Sequence, residues 1–382
     1  MEVKVIGSTK KGYQIPKDEA IKFSGMSAGI CYLPKTIDEL MNEEEEKTIK
    51  RANGTLKSGH HSVFDHVSYN LVLTNIPKIL AMLLNNEGAY TTSEKSARYT
   101  KMQASEKEQA LYEKWIEIYS KEIVEKYPNL TEKQALKLAQ ENARYLISVF
   151  TPATVMEYTV SVRQINYIMQ FAKNYIKNEP DNNFSIKLKP VLREFIKQLE
   201  QIDIEGLDAN AKARNFSLFA KRDRQEEYGE CYCTNYYGTF AQYAQAHRHR
   251  TLRYELQVED EAKFYTPKII ENNKELVEEW QKDIKSLKEF YPQGMLVRIN
   301  ERGTVEDFVL KCKERLCGCA QLEIMNQTKE TLDKYIVETK ATNKDVFDFL
   351  KQYESGVRCM FKDFTCTAPC VWGPKGALGR KI

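Results

Sequence analysis

The five histidines of this chain lie in two short segments, His60–His66 and His247–His249. Histidine beside arginine is a combination that binds oxyanions, because a guanidinium donates paired hydrogen bonds to a phosphate or a carboxylate. Gln245, Arg248 and His249 follow the i, i+3, i+4 spacing that places side chains on one face of a helix. The second segment therefore predicts a helix end that binds phosphate or carboxylate. Two alternatives remain open, a solvated basic face at a helix C-terminus and a nucleic-acid patch without an aromatic ladder.

A metal site is the other chemistry that the histidines and cysteines allow. The histidines and the aspartate of segment 60–66 are close in sequence, but their spacing matches no zinc motif. The nine cysteines form close pairs without Cys-x2-Cys spacing and without a histidine nearby. We therefore predict no metal and interpret the cysteines as reduced thiols. The close pairs are Cys231 and Cys233, Cys317 and Cys319, and Cys366 and Cys370.

The composition is that of an ordinary globular protein, with 42% apolar and 29% charged residues. A length of 382 residues predicts two or three domains. The net charge of +3 does not indicate a general nucleic-acid field. The sequence has no apolar run of about 18 residues and no signal-peptide pattern, so we expect a cytoplasmic protein without a membrane span.

The elements that must hold these residues are predicted to be mostly helices. A polar break at Asn178–Asn183 indicates a boundary between two parts, each with a strand, a short helix and then long helices. This order predicts the α+β class. The predicted strands are 3–6, 66–76 and 230–238, and the predicted helices are 77–84, 106–127, 131–150, 154–177, 185–202, 239–250, 270–290 and 304–338.

Motifs in the first part of the chain resemble those of flavin-dependent thymidylate synthases. Gly59–His66 resembles the family's Gly-His-x-Ser/Thr-x-Phe-Glu-His, and Glu94–Tyr99 resembles Asn-Glu-x-Ser-x-Arg-Tyr. Where the family has Arg-His-Arg, this part has Asn86–Gly88. Two further matches are Ala143-Arg144 for the helical Ala-Arg pair, and Ser161 with Arg163 for a downstream Asn-x-Arg.

The second part of the chain carries the motifs that the first part lacks. Gln245–Arg250 matches Gln-x-x-Arg-His-Arg, and Arg315–Ile324 matches Arg-x4-Ala-Gln-Trp-Glu-Ile with Leu322 in place of tryptophan. This part has Thr251–Leu256 where the family has Ser-x-Arg-Tyr. The resemblance implies an α+β, helix-rich chain with two tandem, diverged copies of the family's fold. Each copy would hold a small, mostly antiparallel sheet, over residues 1–180 and 181–382.

The resemblance also implies a division of roles, because each site of the family is shared between subunits. One subunit supplies Arg-His-Arg and the late arginine, and a neighbour supplies the Ser-x-Arg loop and the Ala-Arg arginine. Arg315 is the implied catalytic residue, since its cation would favour an ionised pyrimidine. The implied dUMP ligands are Gln245, Arg248, Glu94, Lys95, Ser96, Ala97, Arg98, Arg144 and Arg315, and the implied FAD ligands are Arg248, His249, Arg250, His60, Ser62, Glu94, Ser161 and Arg163.

The reaction implied by the resemblance is the reductive methylation of dUMP to dTMP. FAD is the implied cofactor, and methylenetetrahydrofolate and NADPH are the implied co-substrates. A homodimer of two-repeat chains would correspond to the family's homotetramer. Asp65, Leu322 and Ser161 depart from the family pattern. A related modification of pyrimidine C5, such as hydroxymethylation, or a non-catalytic relative that binds nucleotides or nucleic acid, therefore remains an alternative.

Overall fold

The computed structural model describes residues 1–8, 17–95, 104–208, 214–219, 224–367 and 370–382. The chain forms two compact units, and each unit combines two stretches of sequence. Unit 1 comprises Met1–Met102 and Pro152–Phe216, and unit 2 comprises Gln103–Thr151 and Ser217–Ile382. The units interleave along the chain, whereas the predicted repeats 1–180 and 181–382 are contiguous. That division into repeats stays a prediction.

Helices outnumber strands in the described part of both units. The strands are β1 Glu2–Ser8, β2 Ser68–Pro77, β3 Tyr90–Glu94 and β4 Pro152–Ser161 in unit 1, and β5 Glu227–Tyr228, β6 Cys231–Thr239, β7 Arg253–Gln257 and β8 Leu296–Thr304 in unit 2. The helices of unit 1 are α1 Lys17–Tyr32, α2 Ile37–Met41, α3 Glu45–Ser58, α4 Lys78–Leu84, α7 Val162–Asn178 and α8 Asn183–Gln198. The helices of unit 2 are α5 Glu106–Lys126, α6 Glu132–Ala143, α9 Phe240–Ala246, α10 Lys274–Lys285, α11 Val305–Arg315, α12 Leu322–Thr342, α13 Lys344–Lys351 and α14 Gly373–Gly379.

Each unit contains a four-stranded antiparallel sheet, and both sheets have the same strand order. The order is β1-β2-β4-β3 in unit 1 and β5-β6-β8-β7 in unit 2. In both sheets the second strand leads into a seven-residue helix, α4 or α9. The strand of each sheet that comes last in sequence, β4 or β8, runs directly into a helix, α7 or α11. These shared features confirm the predicted α+β class with two diverged copies of one fold.

The strand pattern that the sequence predicted in unit 1 follows from burial of one face of β2. Tyr69, Leu71 and Leu73 alternate along this strand and are all buried.

In unit 2, long helices pack around two tryptophans instead. Trp115 of α5 lies edge-on to Trp280 of α10, with ring centroids 4.9 Å apart. Aromatic pairs in this geometry stabilise a core beyond their burial.

The predicted helix over 154–177 is wrong in its first part. Residues 154–161 belong to β4, which pairs with β2 on one side and β3 on the other. Val155, Tyr158 and Val160 are residues typical of strands, and two partner strands satisfy the backbone of this segment. The helix begins only at Val162. Pairing in the sheet therefore overrides a spacing that could also be read as helical.

Other predicted helices are too long, and three of them carry predicted site residues. The helix predicted over 304–338 is interrupted between Arg315 and Leu322, where α11 ends and α12 begins. The helix predicted over 131–150 ends at Ala143, because a 3-10 turn follows over Arg144–Leu146. The helix predicted over 239–250 ends at Ala246. Each correction falls at a segment that carries a predicted site residue.

Candidate active site

The best-defined group of predicted site residues lies in unit 2, at the ends of four helices. Gln245 is in the last turn of α9, and Arg315 is the last residue of α11. Arg144 follows α6 as its C-cap, and Gln321 precedes α12 as its N-cap. These four side chains come from segments far apart in sequence and are connected by the hydrogen bonds described below.

The segment after α9 does not continue the helix, so the predicted common helical face of Gln245, Arg248 and His249 is wrong. The backbone N of Arg248 donates to the Gln245 carbonyl at 3.4 Å, and that of His249 donates to the Ala246 carbonyl at 3.0 Å. These are turn bonds between residues three apart rather than four. The turn leaves Arg248 and Arg250 exposed and directs His249 inward, where it is 7% exposed.

His249 is buried against the arginine that the sequence assigns to catalysis. Arg315 Nε donates to His249 Nε2 at 2.7 Å, and Arg315 Nη2 donates to the Gln245 carbonyl at 3.1 Å. Burial, followed by the charges of Arg315 and Lys311, lowers the pKa of His249 well below its usual value. His249 is therefore neutral at physiological pH. Since its Nε2 accepts a hydrogen bond, we assign its proton to Nδ1.

Gln321 connects the Ala-Arg arginine to the Gln-x-x-Arg-His-Arg segment. Arg144 Nη2 donates to Gln321 Oε1 at 3.1 Å, and Gln245 Nε2 donates to the same oxygen. Arg144 is 5% exposed. Arg144 is therefore not a surface arginine. Two predicted nucleotide ligands from different motifs share one acceptor within unit 2.

A buried ion pair lies beside this network, and sequence reasoning missed it. Lys311 Nζ donates to Glu301 Oε2 at 2.6 Å, and both side chains are inaccessible to solvent. Tyr232 and Tyr236 each donate to one of the Glu301 oxygens, at 2.7 and 2.8 Å. Burial lowers the pKa of Lys311, and the Glu301 carboxylate opposes that effect. The available signal was the position of Lys311 one helical turn before Arg315.

In unit 1 the structure brings two of the predicted flavin ligands together. Ser161 Oγ donates to Asp65 Oδ1 at 2.7 Å, and Arg163 Nε lies 3.0 Å from Asp65 Oδ2. Asp65 therefore connects the Gly-His segment to the start of α7. His60 and Ser62 of the same segment are exposed, and the His60 ring lies edge-on to Tyr32.

Two further predicted residues of unit 1, Glu94 and Lys95, lie at the end of β3. Glu94 forms an ion pair with Lys78, and the two side chains are 2% and 7% exposed. The backbone N of Lys95 donates to the Val155 carbonyl at 2.9 Å. Ser96, Ala97 and Arg98 lie outside the described residues, so their predicted contact with the nucleotide phosphate stays a prediction.

The sheet registers allow the two units to be compared residue by residue. Thr91 of β3 pairs with Thr159, and Arg253 of β7 pairs with Arg302; each partner lies two residues before the N-cap of α7 or α11. The helix α4 begins thirteen residues before Thr91, and α9 begins thirteen residues before Arg253. His249 of unit 2 thus corresponds to Glu87 of unit 1. Counted from the caps, Arg315 corresponds to Ala172.

Within the described ranges, no three histidine, cysteine, aspartate or glutamate side chains are grouped to hold a metal. All nine cysteines are free thiols. No helix in the described part of the chain is long and apolar enough to cross a membrane.

A network of buried arginine, glutamine and histidine on an α+β frame offers the hydrogen-bond donors that an anionic ligand requires. Residues 17–179 match the model of the family described as thymidylate synthase complementing protein. A flavin-dependent thymidylate synthase of Clostridium tetani (strain Massachusetts / E88) is 25% identical over 148 residues, which cover 33% of this chain. Through this segment, which is less than half of the chain, the sequence matches the flavin-dependent thymidylate synthase family that its motifs resemble. The match spans 59% of the length of that relative.

Two solved structures are more distantly similar. Thymidylate synthase X from Helicobacter pylori, solved with FAD and dUMP, has a TM-score of 0.34 at 13% identity. That comparison covers 56% of this chain and 100% of the other. The UMP/dUMP methylase PolB from Streptomyces cacaoi, bound with 5-Br dUMP, has a TM-score of 0.34 at 12% identity and covers 56% and 95%. Similarity at this level does not establish a shared activity.

Proposed function

We propose that this chain is a flavin-dependent thymidylate synthase that converts dUMP to dTMP, with methylenetetrahydrofolate as carbon donor and NADPH as reductant. One observation carries the proposal. Gln321 joins Arg144 to Gln245, and Arg315 joins Gln245 to His249. Residues that the family motifs assign to nucleotide and flavin binding thus form one hydrogen-bonded group within unit 2.

The residues after α9 fit the flavin that the family implies. FAD carries a diphosphate, which requires charge-assisted donors, and the exposed Arg248 and Arg250 provide two guanidinium groups on either side of His249 in sequence. The neutral His249 between them adds a hydrogen-bonding group without further charge. The other proposed flavin ligands with described positions belong to unit 1 and are His60, Ser62, Glu94, Ser161 and Arg163. When bound, FAD would supply the hydride chemistry, and the protein would supply orientation and charge.

Arg315 is suited to stabilise a pyrimidine that becomes negatively charged. An arginine remains protonated at every working pH. The His249 ring and the Gln245 carbonyl, which accept hydrogen bonds from Arg315, are neutral groups. The carboxylate of Glu314 lies 3.6 Å away, but that side chain is 61% exposed and is screened by water. The fixed cation would therefore favour ionisation of the nucleotide base.

Arg144 is proposed to bind the nucleotide phosphate together with Ser96, Ala97 and Arg98. A buried guanidinium with its orientation already fixed loses little entropy when it binds a phosphate. Gln245, which shares the Gln321 oxygen with Arg144, and Arg248 are proposed to contact the same nucleotide. Glu94 and Lys95 remain proposed ligands at the end of β3.

Product analysis tests the proposed reaction. The FAD-loaded protein is incubated with dUMP, methylenetetrahydrofolate and NADPH, and the nucleotides are identified by mass spectrometry. We expect dTMP, and we expect Arg315→Gln to lower kcat on the order of a hundredfold. Arg253→Gln, which removes an exposed arginine of β7, is the matched control and should keep wild-type activity.

The other outcomes separate the alternatives. A hydroxymethylated nucleotide as the only product would assign the chain to a related C5-modifying reaction. Bound FAD and dUMP without any product would identify a non-catalytic nucleotide-binding relative. A colourless protein that binds DNA with a steep salt dependence would contradict the flavoenzyme assignment altogether.

A further inference from the structure

Glu323, at the start of α12, is a buried carboxylate whose oxygens are fully engaged. It accepts hydrogen bonds from the backbone N of Thr239 at 2.8 Å, from Thr239 Oγ1 at 2.7 Å and from the Tyr145 hydroxyl at 2.8 Å. Burial raises the pKa of Glu323, and these three donors oppose the shift. A buried carboxylate is costly unless its oxygens accept hydrogen bonds, which these three donors provide.

The Tyr145 hydroxyl is hydrogen-bonded to both Glu323 and Gln321, and it determines the orientation of the Gln321 amide. Because this hydroxyl donates its only proton to Glu323, it can interact with Gln321 only as an acceptor. Gln321 Nε2 does donate to it. The Gln321 amide nitrogen therefore faces Tyr145, and its Oε1 must face the opposite way.

The amide orientation determines what Arg144 and Gln245 meet. With Oε1 directed at them, both side chains donate to the same oxygen. A flipped amide would present an NH2 group to a guanidinium and to another amide donor, and both hydrogen bonds would be lost. The chain of hydrogen bonds that joins Glu323, Tyr145 and Gln321, called the relay below, therefore selects one of two orientations of the Gln321 amide.

The same carboxylate also fixes the helix that carries Gln245. Thr239 is the N-cap of α9, and its side chain accepts from the backbone N of Gln242 at 3.0 Å. Glu323 thus accepts hydrogen bonds from the N-cap of α9. Gln321, two residues earlier in sequence, accepts a hydrogen bond from Gln245 in the last turn of the same helix. Both ends of the seven-residue helix α9 are tied to the start of α12.

We propose that Glu323 and Tyr145 are positioning residues for nucleotide binding, which set the Gln321 amide so that Arg144 and Gln245 are held ready for the nucleotide. This inference rests on the proposed function in one respect, the assignment of Arg144 and Gln245 to dUMP. Neither Glu323 nor Tyr145 touches the reacting atoms. Their effect should appear in dUMP affinity rather than in flavin binding.

The test compares Tyr145→Phe with Tyr335→Phe. Tyr335 is a buried tyrosine of α12 whose hydroxyl donates to the Gly229 carbonyl, outside the relay. The dissociation constant of dUMP is measured by calorimetry on FAD-loaded protein, with flavin occupancy and the thermal midpoint as parallel readouts. We expect Tyr145→Phe to weaken dUMP about tenfold with flavin occupancy unchanged. Tyr335→Phe should lower the thermal midpoint by a similar amount and keep the wild-type dUMP affinity.

A double-mutant cycle tests the relay itself. If Tyr145 acts through the amide, adding Tyr145→Phe to Gln321→Leu should cause no further loss of dUMP affinity. Additive losses, or equal effects of Tyr145→Phe and Tyr335→Phe on dUMP, would overturn the positioning role. A wild-type protein that retains FAD but does not bind dUMP would overturn the proposed function. A wild-type protein that binds dUMP but shows no specific effect of Tyr145→Phe would overturn only the positioning role, so the two failures are distinguishable.

Discussion

At the residue scale, the two units differ most in the charge of the turn after the short helix. Unit 2 carries Arg248, His249 and Arg250, and unit 1 carries the corresponding Asn86–Gly88. Unit 2 has two arginines in this turn, whereas unit 1 has no cation and one carboxylate, Glu87, which would repel an anionic ligand. The corresponding positions Arg315 and Ala172 differ in the same direction. The turn of unit 2 is therefore the one suited to bind a diphosphate.

Flavin retention tests that assignment. Arg248 and Arg250 are exposed, so replacing both with alanine removes two cations without opening a cavity. Loss of one or two charge-assisted hydrogen bonds should weaken FAD binding on the order of 10- to 100-fold. The absorbance of bound flavin after gel filtration measures it, with Arg253→Ala as control. Unchanged occupancy in the double variant would remove this turn from the flavin site.

The buried, neutral His249 predicts a specific dependence of stability on pH. The unfolded chain protonates this histidine below a pH of about 6.5. The folded chain does so only at lower pH, because its pKa is lowered. The unfolded state therefore binds more protons as the pH falls, and stability is full above the unfolded pKa and declines below it. The slope contributed by this one group approaches about 1.4 kcal/mol per pH unit.

A His249→Gln variant should lose this part of the pH dependence, since glutamine can accept from Arg315 without titrating. The free energy of unfolding in urea, measured from pH 7.5 to 5.5, should fall less steeply in the variant than in the wild type. His60→Gln, which changes an exposed histidine, should keep the wild-type slope. Parallel curves for the wild type and His249→Gln would mean that His249 is not held neutral.

At the element scale, α7 and α11 begin in the same way. The cap Ser161 Oγ accepts from the backbone N of Gln164 at 3.1 Å, and the cap Thr304 Oγ1 accepts from that of Asp307 at 3.2 Å. The backbone N of the first residue of each helix donates to the carbonyl of the residue before the second strand of its sheet, Val162 to Val67 at 2.8 Å and Val305 to Glu230 at 2.9 Å. This joint fixes how the helix leaves the sheet, and in unit 2 that helix ends at Arg315.

Removing the cap of α11 should destabilise unit 2. Thr304→Ala leaves a helix N–H without its acceptor and should cost about 1 kcal/mol. Thr304→Ser keeps the hydroxyl and should restore most of the stability. Thr342→Ala, at the exposed end of α12, is the control and should change stability by less than about 0.5 kcal/mol. Urea midpoints give the comparison, and equal midpoints for Thr304→Ala and Thr342→Ala would show that the cap is not used.

At the scale of the whole molecule, the predicted complementary loss of motifs implies one flavin site per chain. We predict a homodimer with C2 symmetry, the commonest closed arrangement, that would hold two sites. Light scattering gives the oligomeric state, and flavin absorbance against total protein gives the stoichiometry. About one FAD per chain is expected. Two per chain would mean that unit 1 retains a flavin site despite Glu87 and Ala172.

Mixing two inactive variants tests whether a site draws residues from two chains. An Arg98→Ala chain and an Arg248→Ala chain are unfolded and refolded together, and activity is compared with each alone. Recovery to about a quarter or a half of wild-type activity is expected if the motifs are shared across chains. No recovery would place both motifs of a site in one chain.

The motifs, the short helices after β2 and β6, and the α+β class could be predicted from the sequence. Each depends on local signals, because Pro77 can begin a helix and alternating residues such as Tyr69 and Leu71 can only bury one face of a strand. The resemblance of the motif set to one family also needs no coordinates. The partition of Arg-His-Arg and Ser-x-Arg between the two parts of the chain is visible in the same way.

Only the tertiary structure decided where helices stop and which residues meet. Residues 154–161 form a strand because β2 and β3 lie on either side, and no local pattern reports a partner strand. His249 turns inward because α9 ends at Ala246, and it is neutral because burial and Arg315 act on it together. Long-range hydrogen bonds, such as those that bring Arg144 to Gln321, depend on the packing of the whole unit, which local sequence spacing does not encode.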